Sequence, residues 1–348
     1  MKIATAFSGG FGSIEFSMKY EDIEHEVVFA CEWLDPQRKS YLHNHGEPTS
    51  NFYKDIRDLN GTKYKGEIDL YHLSPPCQSY SLAGNRGGAE DERGGLMFEA
   101  IKSIDEVQPK MFTIENVKGL LSSNGGDDWK NILRDVRSLK GYIVTWGVMN
   151  AKDQGTPQNR ERVFIVGFRG ECMPMPFPLI KPRKLLKSIL ELEDYDISLI
   201  LPHNKYIKLH QDYAEVTSAT KSGYETAELY DSIVNSHLGS KTGRGRIGTA
   251  QSQTLTTSKS MCVLIKHNGK LAVRYLSTRE YARVQGDFQD MFKQGEASDT
   301  KLYEFIGNAM DISTTRNLLK AMFAHKVEFR EPLEPSFIRR EVKEMTLF

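Results

Sequence analysis

The pattern of apolar and polar positions divides the chain near residue 180. Before that point, short apolar runs alternate with stretches whose apolar residues recur at helical spacing. KIATAF, VVFACEW, DLYHLS, MFTIENV, IVTWGVM and RVFIVGF predict strands, and SIEFSMKY, LMFEAIKSIDEV and WKNILRDVRSL predict helices between them. Such alternation predicts a parallel, doubly wound α/β sheet, which takes ligands at the carboxyl ends of its strands. The proline-rich MPMPFPLIKPRK reads as a boundary. From 181 to about 300 the alternation is lost, and HLGSKTGRGRIGTAQSQTLTTS reads as loop. Helical spacing returns at YLSTREYARVQ and again at IGNAMDISTTRNLLKAMFAHKV. The expected organisation is therefore a first domain over 1–180, a smaller irregular domain over 181–300, and a segment over 301–348 that returns to the first.

A chain of 348 residues is long enough for a large core. It has no run of about 18 apolar residues, so no membrane partner is expected. The N-terminal MKIATAFSGG lacks the apolar core and cleavage site of a secretory signal, and a cytoplasmic location is expected. The four cysteines, Cys31, Cys77, Cys172 and Cys262, include no CxxC pair, so free thiols and no metal site are expected. Forty-six basic residues balance forty-six acidic ones, which argues against a non-specific polyanion binder. Locally the charge is segregated. Between Ser232 and Arg274 stand Lys241, Arg244, Arg246, Lys259, Lys266, Lys270 and Arg274, with no acidic residue. A basic patch able to meet phosphates is compatible with neutrality.

Three strand ends carry candidate chemistry. FSGGFGSIEF follows the first strand, and its glycines, Gly9 and Gly12 among them, allow a tight turn into a helix. The second strand ends in Glu32-Trp33, a carboxylate suited to a ribose diol beside an indole that could lie against a purine. A third segment ends in Asp55-Ile56, where an adenine amino group could be held. Together they point to an adenosine-containing cofactor. The fourth strand runs into HLSPPCQSYS, where Cys77 follows two prolines and precedes Gln78 and Ser79. A structural cysteine prefers apolar neighbours, as Cys262 has in SMCVLI. Cys77 has the polar, directed setting of a thiolate nucleophile.

In these residues the chain resembles the cytosine-C5 DNA methyltransferase family. Pro76-Cys77-Gln78 matches its hallmark Pro-Cys-Gln. FSG with Glu15, Glu32-Trp33, Asp55-Ile56, ERGGL, ENV (115–117), QNRER (158–162), RYLSTREYARVQG (274–286) and GNA (307–309) follow in the family's order. The resemblance implies a Rossmann-like, S-adenosylmethionine-dependent methyltransferase sheet with a smaller target-recognition domain. It implies Cys77 as the nucleophile at cytosine C6, Glu115 as the acid at N3, and Arg162, with Arg160 nearby, as the donor to O2. It implies S-adenosylmethionine held by Phe7, Ser8, Gly9, Gly12, Glu32, Trp33, Asp55, Ile56, Pro75, Leu96 and Asn308. The partner implied is double-stranded DNA, its target cytosine swung out of the stack. Gln78, Ser81, Arg244, Arg246 and Lys259 are expected on the DNA side. A monomer is expected, with a cognate restriction endonuclease as a further partner. TLTTS (254–258) resembles a family element closing the recognition domain.

The chain departs from the family's pattern by one extra residue in FSGGFG, by Met-Asp in place of Val-Pro after GNA, and by QGDFQD where QGFPD is usual. Three other readings compete. Amino methylation would place an aromatic residue where Cys77 stands. The same C5 chemistry could act on tRNA. A non-catalytic, cofactor-dependent DNA-binding regulator would need none of Cys77, Glu115 and Arg162.

Overall fold

The structure, a computed structural model, describes residues 1–76, 95–178, 182–236, 238, 242 and 245–336. Its main sheet is built from β1 (Lys2–Ala6), β2 (Glu26–Cys31), β3 (Asn51–Tyr53), β4 (Leu70–Leu73), β5 (Met111–Val117), β6 (Tyr142–Asn150) and, after the short β7 (Gln158–Asn159), β8 (Glu161–Glu171). The order is β3-β2-β1-β4-β5-β8, with β6 also paired to β8. Pairing is parallel from β3 to β5 and antiparallel for β8 against β5 and β6. The parallel, doubly wound part therefore ends at β5, and a hairpin-like excursion completes the sheet.

Chain order reverses between β1 and β4. From β1 the chain steps outward to β2 and β3, then returns to β4 on the other side of β1. At such a switch point the loops beyond two neighbouring strands diverge and leave a crevice. The Gly-rich turn after β1 and the Ser74-Pro75 segment after β4 both emerge there.

The helices of this part are α1 (Ser13–Tyr20), α2 (Asp35–His45), α3 (Leu96–Val107) and α4 (Asp127–Arg137). On α3, Met97, Ala100, Ile101, Ile104 and Val107 form one buried stripe on the sheet with Tyr71 and Phe112. The sequence pattern does not flag α2, because its buried residues are Gln37, Ser40 and Tyr41.

The irregular region holds β9 (Ile207–Leu209), β10 (Ala214–Thr217) and β11 (Tyr224–Ala227) in one antiparallel sheet. A second sheet contains β12 (Ser232–Val234), β13 (Ile247–Gly248), and the hairpin of β15 (Met261–His267) with β16 (Lys270–Tyr275). Between them, β14 (Ser252–Gln253) runs parallel to β7. One apolar cluster spans Phe11 and Phe16 of the first part and Met261, Val263, Tyr281, Phe305 and Ile312 of the rest. Helix α5 (Thr278–Val284) starts at a capping box between Ser277 and Glu280.

The last helical pattern is interrupted. It is two helices, α6 (Asp299–Asn308) and α7 (Ile312–Ala324), because Ala309 is extended and Asp311 caps α7 by accepting from Thr314 N. A final strand, β17 (Glu328–Phe329), pairs with β8. Among the described residues no helix is long and apolar enough to cross a membrane, and no cluster of His, Cys, Asp and Glu forms a metal site.

Candidate active site

The turn after β1 is forced by its backbone. Phe7, Gly9 and Gly12 all have φ between 57° and 67°. A Cβ on Gly12 would stand 2.3 Å from His45 Nε2, so glycine is required there twice over. Glu32, at the end of β2, fastens the turn: Gly9 N donates to Oε2 and Leu34 N to Oε1, each at 2.9 Å. Burial raises the Glu32 carboxyl above its ordinary value, opposed by the N–H groups of Leu34, Gly9 and Trp33. Trp33 beside it is 56 % exposed, an indole face available next to a buried carboxylate. Ile56 is buried in the sheet core. Asp55 caps the following turn and is gripped by Arg57, whose Nε lies 2.9 Å from Oδ2; these bonds hold its carboxyl below the usual range.

A cleft above β1 and β4 is lined by Phe7, Ser8, Gly9, Gly12, Glu15, His72, Ser74, Asn308 and Met310, among others. Glu32, Trp33, Asp55, Ile56 and Leu96 do not line it. Of these, Glu32 joins it through Gly9, and Leu96 starts α3. Beneath the cleft, Glu15 Oε1 accepts from Tyr41 Oη at 2.5 Å and Thr5 Oγ1 at 3.2 Å.

A second cavity of about 400 Å³ adjoins it, within the roughly 300–1,000 Å³ usual for ligand clefts. Its wall includes Pro75, Pro76, Glu115, Asn116, Arg162, Thr256, Thr257 and Asn308, so Asn308 belongs to both cavities. Glu115 is 8 % exposed. Arg162 Nε donates to Glu115 Oε1 at 3.0 Å, and Ser74 Oγ to Oε2 at 3.2 Å. Asn116 Nδ2 donates to the Pro75 carbonyl at 3.0 Å, tying β5 to the backbone just before Cys77. Cys77, Gln78, Ser81 and Arg244 lie outside the described residues.

Three sequence expectations change. Arg160 lines the cavity beside Arg162, but its terminal nitrogens are already committed to backbone carbonyls. Its guanidinium is buried, with Nη1 donating to Leu255 O at 3.3 Å and Nη2 to Gly307 O at 3.2 Å and Ala309 O at 2.8 Å; burial lowers it to about 9. Arg246 is buried and not held out from the surface. It is 5 % exposed, and its Nη1 donates to the Ser236 carbonyl at 2.6 Å. Nor does Arg274 belong to a basic surface: it is fully buried against Glu280, at 2.6 and 2.7 Å, and donates to Glu191 O at 3.0 Å. Lys259 is exposed, its ammonium 4.9 Å from the Tyr275 ring centre.

Sequence reasoning missed a polar clasp. Gln158 donates to Gln285 Oε1 at 2.8 Å and accepts from Leu255 N at 3.0 Å, while Gln285 donates to Ile306 O at 2.6 Å. A Cβ on Gly307 would lie 2.1 Å from Thr256 O, so helix α6 and the segment after β14 touch backbone to backbone. The residues stand in QNRER and RYLSTREYARVQG, two of the motifs that carry the family resemblance, but nothing in their spacing shows that they meet. His72 and Ser74 were missed as well, since nothing in the period of a strand shows what lies beside it.

Residues 1–324 match the family described as C-5 cytosine-specific DNA methylase. The chain is 31% identical over 373 residues to the type II methyltransferase M.FnuDI of Fusobacterium nucleatum, with 100% of each covered. It is 31% identical over 314 residues to the type II methyltransferase M.HpaII of Haemophilus parainfluenzae, with 87% of this chain and 84% of the relative covered. Among solved structures, the Dnmt2 methyltransferase of S. pombe shares the fold, with a TM-score of 0.62 and 15% identity, over 93% of this chain and 98% of that one.

Proposed function

The chain belongs to the C-5 cytosine-specific DNA methylase family and is a DNA (cytosine-5-)-methyltransferase, and we propose that Cys77, Glu115 and Arg162 carry its chemistry. The observation that supports this assignment is the Arg162–Glu115 pair at 3.0 Å in a cavity walled by Pro75 and Pro76, the residues leading into Cys77.

Cytosine C5 is a poor nucleophile until the ring's aromaticity is broken. Addition of the Cys77 thiolate to C6 does this and makes C5 enamine-like. Glu115 holds a proton at N3 as that nitrogen gains electron density. Arg162 both orients Glu115 and donates to O2 of the base. The cofactor assigned is S-adenosylmethionine, which when bound supplies a methyl group on a sulfonium for the activated C5. The fit rests on the left-handed glycine turn, the buried Glu32 carboxylate and the exposed Trp33 indole. Phe7, Ser8, Gly9, Gly12, Pro75, Leu96 and Asn308 complete its binding set, with Ile56 and the remaining lone pairs of Asp55 at the adenine. Loss of the C5 proton and departure of Cys77 then restore the ring.

The substrate proposed is duplex DNA with the target base flipped into the second cavity. Residues 181–300 are proposed as the target-recognition domain, with Gln78, Ser81, Arg244 and Lys259 toward the DNA. The enzyme is proposed to act as a monomer, and its type II relatives make a cognate endonuclease for the same site the expected partner.

Incubation with labelled donor and either duplex DNA or tRNA tests the substrate; label in tRNA alone would overturn it. Cys77→Ala is expected to abolish transfer while cofactor and DNA binding persist in calorimetry and gel shift. A duplex carrying 5-fluorocytosine is expected to trap a covalent complex through Cys77, because fluorine cannot leave as a proton does.

A further inference from the structure

His72 and Ser74 lie at the end of β4, and the chemistry above gives neither a task. The register of the sheet sets His72 opposite Thr113 of β5. His72 Nδ1 is 2.5 Å from Thr113 Oγ1, and Nε2 is 3.0 Å from Ser74 Oγ. Ser74 Oγ in turn is 3.2 Å from Glu115 Oε2. A line of hydrogen bonds thus runs from the interior of the sheet to the acid in the base cavity.

Counting protons fixes its direction. A carboxylate accepts only, and Ser74 has one proton to give. The other acceptor within reach, Met310 Sδ at 3.7 Å, is the weaker. Ser74 therefore donates to Glu115 and takes its own hydrogen bond from His72 Nε2–H. The imidazole, buried and kept neutral, then has Nδ1 as acceptor for the Thr113 hydroxyl. To receive a proton from Glu115, Ser74 would have to turn its own proton away from Oε2, and with His72 Nε2 protonated that proton is left with the weaker Met310 Sδ. A proton on Glu115 is left facing the cavity.

We propose that His72 and Ser74 are positioning residues that orient Glu115 from behind, the Nε2–H tautomer of His72 obliging Ser74 to donate, so that the carboxyl proton is presented to the base. The proposal rests on the assignment of Glu115 to N3. Other charged groups bear on the same acid. Arg162 faces Oε1, Arg160 lines the same cavity with buried Asp311 near it, and Glu15 of α1 lines the first cleft together with His72 and Ser74.

The test compares methyl transfer to duplex DNA against pH for the wild type, Ser74→Ala, Ser74→Thr and Glu115→Gln. A hydrogen bond donated to a carboxylate favours its charged form, so removing it raises the acid's pKa. Ser74→Ala is expected to lower kcat by about tenfold to hundredfold and to move the limb of the profile that reports Glu115 to higher pH. The KM for DNA and cofactor affinity should hold, and Ser74→Thr should restore rate and limb. Mere loss of packing would not move that limb. Unchanged rate and profile in Ser74→Ala, with Glu115→Gln inactive, would overturn the positioning role and leave the acid assignment standing. Full activity in Glu115→Gln would overturn both. Nitrogen NMR of the wild type decides independently of any variant's folding: His72 is expected as the Nε2–H tautomer, and an Nδ1–H tautomer would sink the proposal.

Discussion

Two arginines separated by one residue in QNRER have different tasks, and the difference is one of the partners the fold gives them. Arg162 is on β8, opposite Val117 of β5, and meets Glu115. Arg160, just before β8, points into the clasp and satisfies three carbonyls. The two substitutions should therefore separate stability from chemistry. Arg162→Gln is expected to lower kcat by roughly 10²–10³, the usual cost of one preorganised donor, with the melting temperature almost unchanged. Arg160→Gln should lower both, through about 3 kcal/mol of lost stability from carbonyls left without donors. Thermal denaturation beside single-turnover kinetics reads both quantities.

At the scale of elements, the break between α6 and α7 carries its own pH signature. Asp311 Oδ1 accepts from Thr314 N at 2.7 Å and from Thr314 Oγ1 at 2.8 Å, yet the group is buried, and burial raises its carboxyl to about 7. The folded state keeps the proton that the unfolded chain releases near its ordinary value of 3.8. The stability that Asp311 contributes should thus fall as pH rises from about 4 to about 7. Asp311→Asn keeps the cap and removes the titration. Its melting temperature relative to the wild type should climb across that window and level off above it. A constant difference would show that Asp311 does not titrate there.

This break also marks where the sequence stops being legible. The ends of α1, α3 and β5 coincide with SIEFSMKY, LMFEAIKSIDEV and MFTIENV, each of which carries large apolar residues that the fold buries. The gap at Ala309–Asp311 has no such signal, because the residues on both sides keep helical spacing while the cap is a side-chain hydrogen bond. Charge failed for a related reason. Arg246 and Arg274 count as basic in a linear stretch, but their partners, Ser236 O, Glu191 O and Glu280, are supplied by the fold. Glu115 was legible as a strand-end carboxylate, whereas its support by Ser74 depends on which strand lies beside β5.

For the whole molecule, acid should act through histidines buried neutral beside the site. His45 is paired with the Phe11 carbonyl at 2.9 Å under the glycine turn, and Lys19 Nζ lies 3.2 Å from its Nδ1. Burial lowers it to about 4, and lowers His72 to about 3. The unfolded chain protonates both near 6.5. Stability contributed by their neutral forms is complete above that pH and drains away as pH falls toward 4 and then 3. Urea midpoints at pH 7 and pH 4.5 should show the loss, and His45→Gln should reduce it; equal midpoints for the wild type at both pH values would count against it.

The clasp joining Gln158, Arg160, Leu255, Gln285 and Gly307 has a consequence for heredity as much as for mechanics. It couples two regions that are far apart in the chain. Segments between β8 and Ser252 can be exchanged while the joint stays intact, because its partners lie at 158–160 on one side and at 252 and beyond on the other. A recombination boundary placed inside residues 252–256 would split donors from acceptors. A replacement that begins after β8 and ends before Ser252 would graft a new surface onto an unaltered cavity.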